Sequence, residues 1–363
     1  MTTTTAPRKS ARKAAPKPEA KADNRFADED PKTLRGLYRD MLFVRRFEER
    51  TAQSYQQAKI GGYCHLNLGE EATVVGLAAA MRPTDYLFTN YREHGYALAK
   101  GIEPGRVMAE LYGRTTGTSK GWGGSMHMYD TATRLLGGYA IVGGQVPLAV
   151  GAALAIDYRG GDDVVVCQMG DGTTNIGAFH ESLNIAALWR LPVLFLVINN
   201  RTGMGTTVER SSAEPDLYKR AESYRMRGER VDGTDVLAVR DVAAELLEGA
   251  RREGKPALLE AVSHRLKGHS VVDPAKYRSA EDVSAAREHD PIVRFAAELV
   301  AAGVLSEQDT ADLEAEVREG VEAAVAFADA SPHPEPDSLF DYNYATPVPG
   351  DSRRLPADPL FTA

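Results

Sequence analysis

A carboxylate and a pair of amides are the groups in this 363-residue chain whose spacing first suggests chemistry: Gly170-Asp171-Gly172, then 26 residues, then Asn199-Asn200. Each motif closes an apolar, β-branched run, Val164–Met169 and Val193–Ile198. Between the runs Ile176, Phe179, Leu183, Ala186 and Ala187 recur at helical spacing. The pattern is a β–α–β unit. A crossover helix makes the strands parallel and is right-handed in roughly 98% of cases, so Asp171 and Asn200 leave the sheet at one edge. Ligands of open α/β sheets sit outside the carboxyl ends of strands, where a carboxylate beside an amide oxygen suits a hard cation, Mg²⁺. Glycines around Asp171 admit a close ligand, and the helix that follows aims free N–H groups at the same place, so an anion belongs there too. Mg²⁺ completes its octahedron with phosphate oxygens and water, which makes a diphosphate the matching anion. A bare Gly-Asp-Gly is more often a turn with a surface aspartate. The Asn-Asn pair after a second buried strand decides for a site, and the lack of a Walker lysine or a G-x-G-x-x-G weakens nucleotide readings.

The elements that must carry these groups follow from periodicity. A helical pattern runs from Lys32 to Lys59 through Leu34, Leu37, Tyr38, Met41, Leu42 and Phe47, and stops at Gly61-Gly62. Tyr63-Cys64-His65-Leu66 forms a loop before an alanine- and valine-rich helix over Glu70–Met81, and standing alone His65 reads as structural. Asp85–Phe88 is a short strand whose end gathers Asn90, Tyr91 and Arg92; the planar fork of Arg92 could clamp a phosphate there, though alone it is ordinary surface. Residues 113–147 hold nine glycines in 35 positions and show neither helical nor strand period. With Trp122, Met126, His127 and Met128 among them, they read as ordered backbone passing close to a ligand or partner. A loop over 201–218 leads through Arg225–Val231 to a helix over Val236–Glu253 and a strand over Pro256–Val262. Gly268-His269-Ser270 leaves that strand at its carboxyl end and joins Asp171 and Asn200 at one mouth, which favours catalysis for His269. Asp171 is the only carboxylate that this reading puts at the edge. Residues 291–329 are helical and acidic.

Composition sets the outer bounds. With 43% hydrophobic residues the chain can bury a large core. It has no run of about 18 apolar residues and no signal-peptide core, so a soluble, non-secreted protein is expected, with neither a membrane nor a nucleic acid as partner. Two cysteines, Cys64 and Cys167, fit a reducing compartment, the cytoplasm. The net charge of −8 is uneven: Arg8, Lys9, Arg12, Lys13, Lys17 and Lys21 face only Glu19 among residues 1–22, giving +5 there and −13 elsewhere. The organisation read from this is a disordered basic tail over 1–25, one α/β domain over 26–330, and an extended proline-rich segment over 331–363.

The central pair of motifs resembles the signature of thiamine diphosphate enzymes, in which the aspartate and the second asparagine ligate the Mg²⁺ that carries the cofactor's diphosphate. From about Tyr38 to Ala328 the chain also resembles the alpha subunits of heteromeric, decarboxylating 2-oxo acid dehydrogenases, nearest the acetyl-transferring pyruvate branch. Tyr63-Cys64-His65-Leu66, Tyr91-Arg92, the run from Lys120 to Met128 (KGWGGSMHM), Ile141-Val142-Gly143, Gly203-Met204-Gly205-Thr206 and Gly268-His269-Ser270 carry that resemblance. It implies a thiamine diphosphate-binding α/β fold, mainly a parallel sheet with helices on both faces. It implies His65 and His269 as catalytic residues, and Tyr91, Arg92, Ala140, Val142, Gly170, Asp171, Gly172, Thr173, Asn200 and His269 as cofactor-binding ones. Asp171, Asn200 and the carbonyl of Thr202 become metal ligands. Ala140 stands where the family usually has glycine, and Thr202 where it often has tyrosine.

The activity implied is decarboxylation of pyruvate with reductive acetylation of the lipoyl group on a dihydrolipoyl acyltransferase. The sequence holds one diphosphate-type unit and no second sheet domain of similar size, so the missing half of the site is expected from a beta subunit, in an assembly of two alpha and two beta chains. Alpha subunits of acetoin and branched-chain 2-oxo acid dehydrogenases share the motifs; the segment from Lys120 to Met128 favours pyruvate over the branched-chain branch. A non-catalytic scaffold of the same fold is the reading from another class, and intact Asp171, Asn200, His65 and His269 argue against it.

Overall fold

The computed structural model describes residues 25–340, so the basic tail up to residue 24 and all but the start of the proline-rich end lie outside the described residues, and Arg25, assigned to the tail, is paired to Asp235. In chain order the elements are α1 (Pro31–Gln56), α2 (Glu71–Ala80), β1 (Tyr86–Asn90), α3 (His94–Ala99), α4 (Pro104–Leu111), β2 (Leu135–Tyr139), α5 (Gln145–Tyr158) and β3 (Val165–Gly170). Then come α6 (Gly177–Trp189), β4 (Val193–Asn199), the short pair β5 (Thr202–Gly203) and β6 (Thr206–Thr207), α7 (Val208–Ser211), β7 (Arg227–Asp232), α8 (Val236–Glu253) and β8 (Ala257–Val262). Three α-helices follow, α9 (Ala280–Glu288), α10 (Pro291–Ala301) and α11 (Glu307–Ala330), and a 3-10 turn over Pro336–Phe340 ends the described chain.

Six strands form one sheet in the order β2-β1-β3-β4-β8-β7, every pair parallel. The β–α–β unit is β3, α6 and β4, in register from Val165 opposite Val193 to Gly170 opposite Ile198. Alternate residues serve opposite layers. Val165, Cys167 and Met169 of β3 and Val193, Phe195 and Val197 of β4 pack with α5 and α6, whereas Val166, Leu194, Leu196 and Ile198 pack with α2, α4 and α8. Burial on both faces explains why these strands read as unbroken apolar runs. Helices therefore cover both faces of a parallel sheet, the α/β architecture expected. An outer cluster joins Leu34, Leu37 and Met41 of α1 to Phe295 of α10 and Leu313 of α11. The chain goes outward from β1 to β2, then returns to lay β3 on the other side of β1. That reversal opens a crevice at the carboxyl ends of β1 and β3, the usual ligand position in such sheets.

Two stretches differ from the sequence reading. Residues 113–147 contain β2 and the start of α5. β2 is Leu-Leu-Gly-Gly-Tyr, an edge strand whose glycines erase any period; a Cβ on Gly138 would lie 2.1 Å from the carboxyl carbon of Glu93. Pro147 masks the start of α5, yet it sits in the first turn, where its missing N–H has no intrahelical partner to lose. The loop over 201–218 holds β5, β6 and α7, elements too short to show a pattern. Among the described residues no helix is long and apolar enough to cross a membrane.

Candidate active site

Four strand ends and the loop before α2 converge on the crevice. At the end of β1 the N–H of Asn90 donates to Gln168 Oε1 on β3 (2.9 Å), and Asn90 Oδ1 accepts the N–H of Arg92 (2.9 Å). This turn sends Arg92 inward, where its guanidinium donates to the carbonyls of Leu66 and His269 and its Nε lies 3.8 Å from Glu70 Oε1. The fork expected to clamp a phosphate is thus already tying two loops together. It contributes positive charge to the cavity wall.

At the end of β3, Asp171 opens a 3-10 turn, where nearby backbone N–H groups favour its charged form. The residue is 7% exposed, and burial pushes its carboxyl up to about 6 against the opposing pull of Arg265. At the end of β4, Asn200 Nδ2 donates to Glu70 Oε1 (3.0 Å) while its Oδ1 stands 3.5 Å from Arg265 Nη1. The same Nη1 donates to the Thr202 carbonyl (3.1 Å). Two of the three oxygens expected to hold a metal therefore converge on a positive charge, here a guanidinium nitrogen, with the Asp171 carboxylate lining the same cavity. No group of three or more His, Cys, Asp or Glu able to hold a metal occurs among the described residues. A cation at this place would rest on one carboxylate, an amide and a carbonyl, with its remaining sites open to phosphate and water, which is how Mg²⁺ is usually held.

Past β8 the segment from His264 turns back over the mouth. The N–H of His269 donates to Asp273 Oδ2 (2.6 Å), which also accepts from Tyr277 Oη (2.6 Å). Ring centroids of His65 and Tyr91 are 4.4 Å apart, His65 and His269 5.2 Å, and Tyr91 and His269 5.7 Å. Burial, reinforced by the Arg92 charge, pushes His65 down to about 3 and His269 down to about 4. Both imidazoles are neutral near pH 7, and the Nδ1 of each is buried without a partner. Such a nitrogen is available to a ligand.

The cavity measures about 260 Å³. Tyr91, Arg92, Val142, Gly170, Asp171, Gly172, Thr173, Asn200, Thr202 and His269 line it; Ala140 does not, and His65 stands behind Tyr91 and His269. Glu70, Gln168 and Arg265 also line it and were missed from sequence. Glu70 is a second carboxylate at the edge assigned to Asp171 alone. It caps α2, and nothing local in sequence sets the start of that helix against the end of β4. Arg265 had a signal: it leaves the same strand end as His269.

Comparisons with known proteins agree with this geometry. The family described as Dehydrogenase E1 component matches residues 39–337. A protein of Rhizobium meliloti named pyruvate dehydrogenase E1 component subunit alpha is 45% identical over 342 residues, covering 92% of this chain and 98% of that one. Proteins of the same name from Zymomonas mobilis (44% over 313 residues, 86% and 88% covered) and Rickettsia bellii (41% over 307 residues, 85% and 94% covered) are also similar.

Proposed function

Because the chain belongs to the dehydrogenase E1 component family, we propose that it is the alpha subunit of a pyruvate dehydrogenase, an oxidoreductase that decarboxylates pyruvate and passes the acetyl group to a lipoyl disulfide. What carries this reading is the convergence, in one cavity at a topological switch point, of Asp171, Asn200 Oδ1 and the Thr202 carbonyl with two arginines and the neutral imidazole of His269, behind which stands that of His65. That donor set fits a Mg²⁺ diphosphate. When bound, thiamine diphosphate supplies a carbanion at its thiazolium carbon and a ring that accepts the electron pair left by carbon dioxide.

The chain's own residues do the rest. Asp171, Asn200 and Thr202 O would hold the cation, and Arg92 and Arg265, both on the cavity lining, would offset the charge of a diphosphate. Tyr91 supports the imidazoles, and Val142 and Thr173 close the cavity beside them. His65 orients the keto acid, and His269 takes up a proton and, as the imidazolium, passes it to the thiolate freed when the lipoyl disulfide opens; an imidazole that is neutral at rest can accept that proton first. A beta subunit supplies the remaining wall, with two alpha and two beta chains in the assembly, and the lipoyl domain of the acyltransferase docks at the mouth. Two free, buried cysteines accord with a cytoplasmic setting.

The test is co-expression with the beta chain, calorimetry of Mg²⁺-dependent thiamine diphosphate binding, and acceptor-dye reduction with pyruvate, branched-chain 2-oxo acids and acetoin. Pyruvate should be preferred, and the chain alone should bind weakly and turn over nothing. A preference for acetoin or branched-chain acids overturns the substrate, tight binding without any turnover leaves a scaffold, and turnover by the single chain overturns the two-chain site.

A further inference from the structure

Behind the ring cluster runs a polar chain that does not line the cavity. His94 on α3 is fully buried; its Nδ1 lies 2.9 Å from Glu48 Oε2 on α1, and its Nε2 lies 2.8 Å from Ser125 Oγ in the short turn Gly124–Met126. Glu48 has no exposure and Ser125 has 4%. Serine, histidine and glutamate in this order have the connectivity of a hydrolase triad. A serine so enclosed meets no substrate, and the two ends of the chain lead elsewhere. The backbone N–H of His65 donates to Ser125 Oγ (3.4 Å), and that of Asn67 donates to Glu48 Oε1 (2.8 Å). The His94 ring thus bridges Glu48 and Ser125, Nε2 lying 3.2 Å from the Ser125 carbonyl as well as 2.8 Å from its hydroxyl, and the hydroxyl oxygen in turn accepts the His65 N–H.

We infer that Glu48, His94 and Ser125 form a positioning relay for His65. The inference rests on the reading of His65 as a residue that meets substrate. Among the described residues no hydrogen bond reaches the ring of His65, and its Nδ1 is unpartnered. Its orientation therefore comes from its backbone and from contact with Tyr91 and His269. The relay clamps that backbone at residues 65 and 67. On one side it continues through the Asn67 side chain, which accepts the N–H of Gly95 (3.0 Å) and donates to Glu70 (3.3 Å), and Glu70 holds Asn200. On the other side the backbone leading into Ser125 is held by Glu110, fully buried, whose Oε2 accepts the N–H groups of Ser119 (2.7 Å) and Gly121 (2.9 Å) and whose Oε1 accepts those of Gly123 (2.7 Å) and Gly124 (3.0 Å). Four N–H groups around one carboxylate make an anion nest. The glycine-rich run thus wraps this chain's own side chain; a Cβ on Gly117 would lie 2.3 Å from a Glu110 carboxylate oxygen.

Ser125→Ala removes the hydroxyl with little change of volume. In the alpha–beta assembly, cofactor affinity and the thermal midpoint should stay close to wild type. Pyruvate turnover should fall by up to ~10²-fold, the cost of misplacing a reacting group by about 1 Å. The deciding measurement is a double-mutant cycle with His65→Ala, in which Ser125→Ala should cost nothing further. An equal cost in both backgrounds, or none in the wild-type background, overturns the relay. Full turnover by His65→Ala alone refutes the reading of His65 instead. The relay is then judged by hydrogen exchange at the His65 and Asn67 amides: faster exchange in Ser125→Ala upholds it, and unchanged protection overturns it.

Discussion

Asp171 should make the cofactor-free protein less stable than it would be without a charge there. Its carboxyl is pushed from 3.8 up to about 6, because the side chain is taken out of water and the nearby backbone N–H groups and Arg265 offset that only in part. The direction sets the pH window. Above pH 6 the folded chain holds a charge it disfavours, which the unfolded chain solvates freely; below 3.8 both states are protonated and the penalty is gone. The gap between 3.8 and about 6, at ~1.4 kcal/mol per pH unit, corresponds to at most about 3 kcal/mol. Asp171→Asn should therefore raise the stability of the cofactor-free assembly at pH 7.5 by up to that amount, less whatever its amide loses in facing Arg265. The gain should shrink as pH falls through 6 and vanish near 4. The same substitution removes the carboxylate that would ligate the cation and should abolish Mg²⁺-dependent thiamine diphosphate binding. Urea unfolding of both proteins between about pH 4 and pH 8 without cofactor, beside calorimetry with it, tests the pair of effects. A pH-independent difference, or a less stable Asp171→Asn protein at pH 7.5, would refute the desolvation argument, and retained cofactor affinity would move the metal site elsewhere.

His65 and His269 lie well below the free imidazole value of 6.5, from burial and then Arg92. Between 6.5 and their folded values the unfolded chain binds protons first, so stability should fall as pH drops through that interval, and their ring resonances should not titrate above about pH 5.5 in cofactor-free protein. NMR titration decides it; a midpoint near 6.5 would show an open site. Arg265→Gln removes the guanidinium beside Asn200 and Thr202, and should raise the dissociation constant of the Mg²⁺ cofactor by ~10-fold or more, the worth of one charged hydrogen bond; unchanged affinity would limit Arg265 to a structural part. Asp85→Ala takes from Arg251 its close ion pair at 3.0 and 2.8 Å, leaving it Glu248 at 3.6 Å and the Asp162 carbonyl, and strips the N–H groups of Arg82 and Val164 of their acceptor; it should cost about 3 kcal/mol in urea unfolding. A loss below about 1 kcal/mol would mean that Arg251 finds water.

Local pattern alone determined the core of this protein. Apolar runs, helical spacing and the handedness of crossovers suffice to bring Asp171 and Asn200 to one edge, since each is a property of contiguous residues. The helices over Val236–Glu253 and Glu71–Ala80 were legible within a residue for the same reason. β2 was not, because its glycines answer to the side chains of Tyr129 and the distant Glu93 and not to a strand period. Nor was the electrostatic state of the site. Tertiary packing alone sets Glu70 against Asn200, 130 residues away, seats Arg265 between the metal-facing oxygens, and stacks the loop carrying His65 on Tyr91 and His269. Desolvation depends on everything that surrounds a group, so the shifts that leave both histidines neutral and Asp171 hard to ionise exist only once those segments have closed over it.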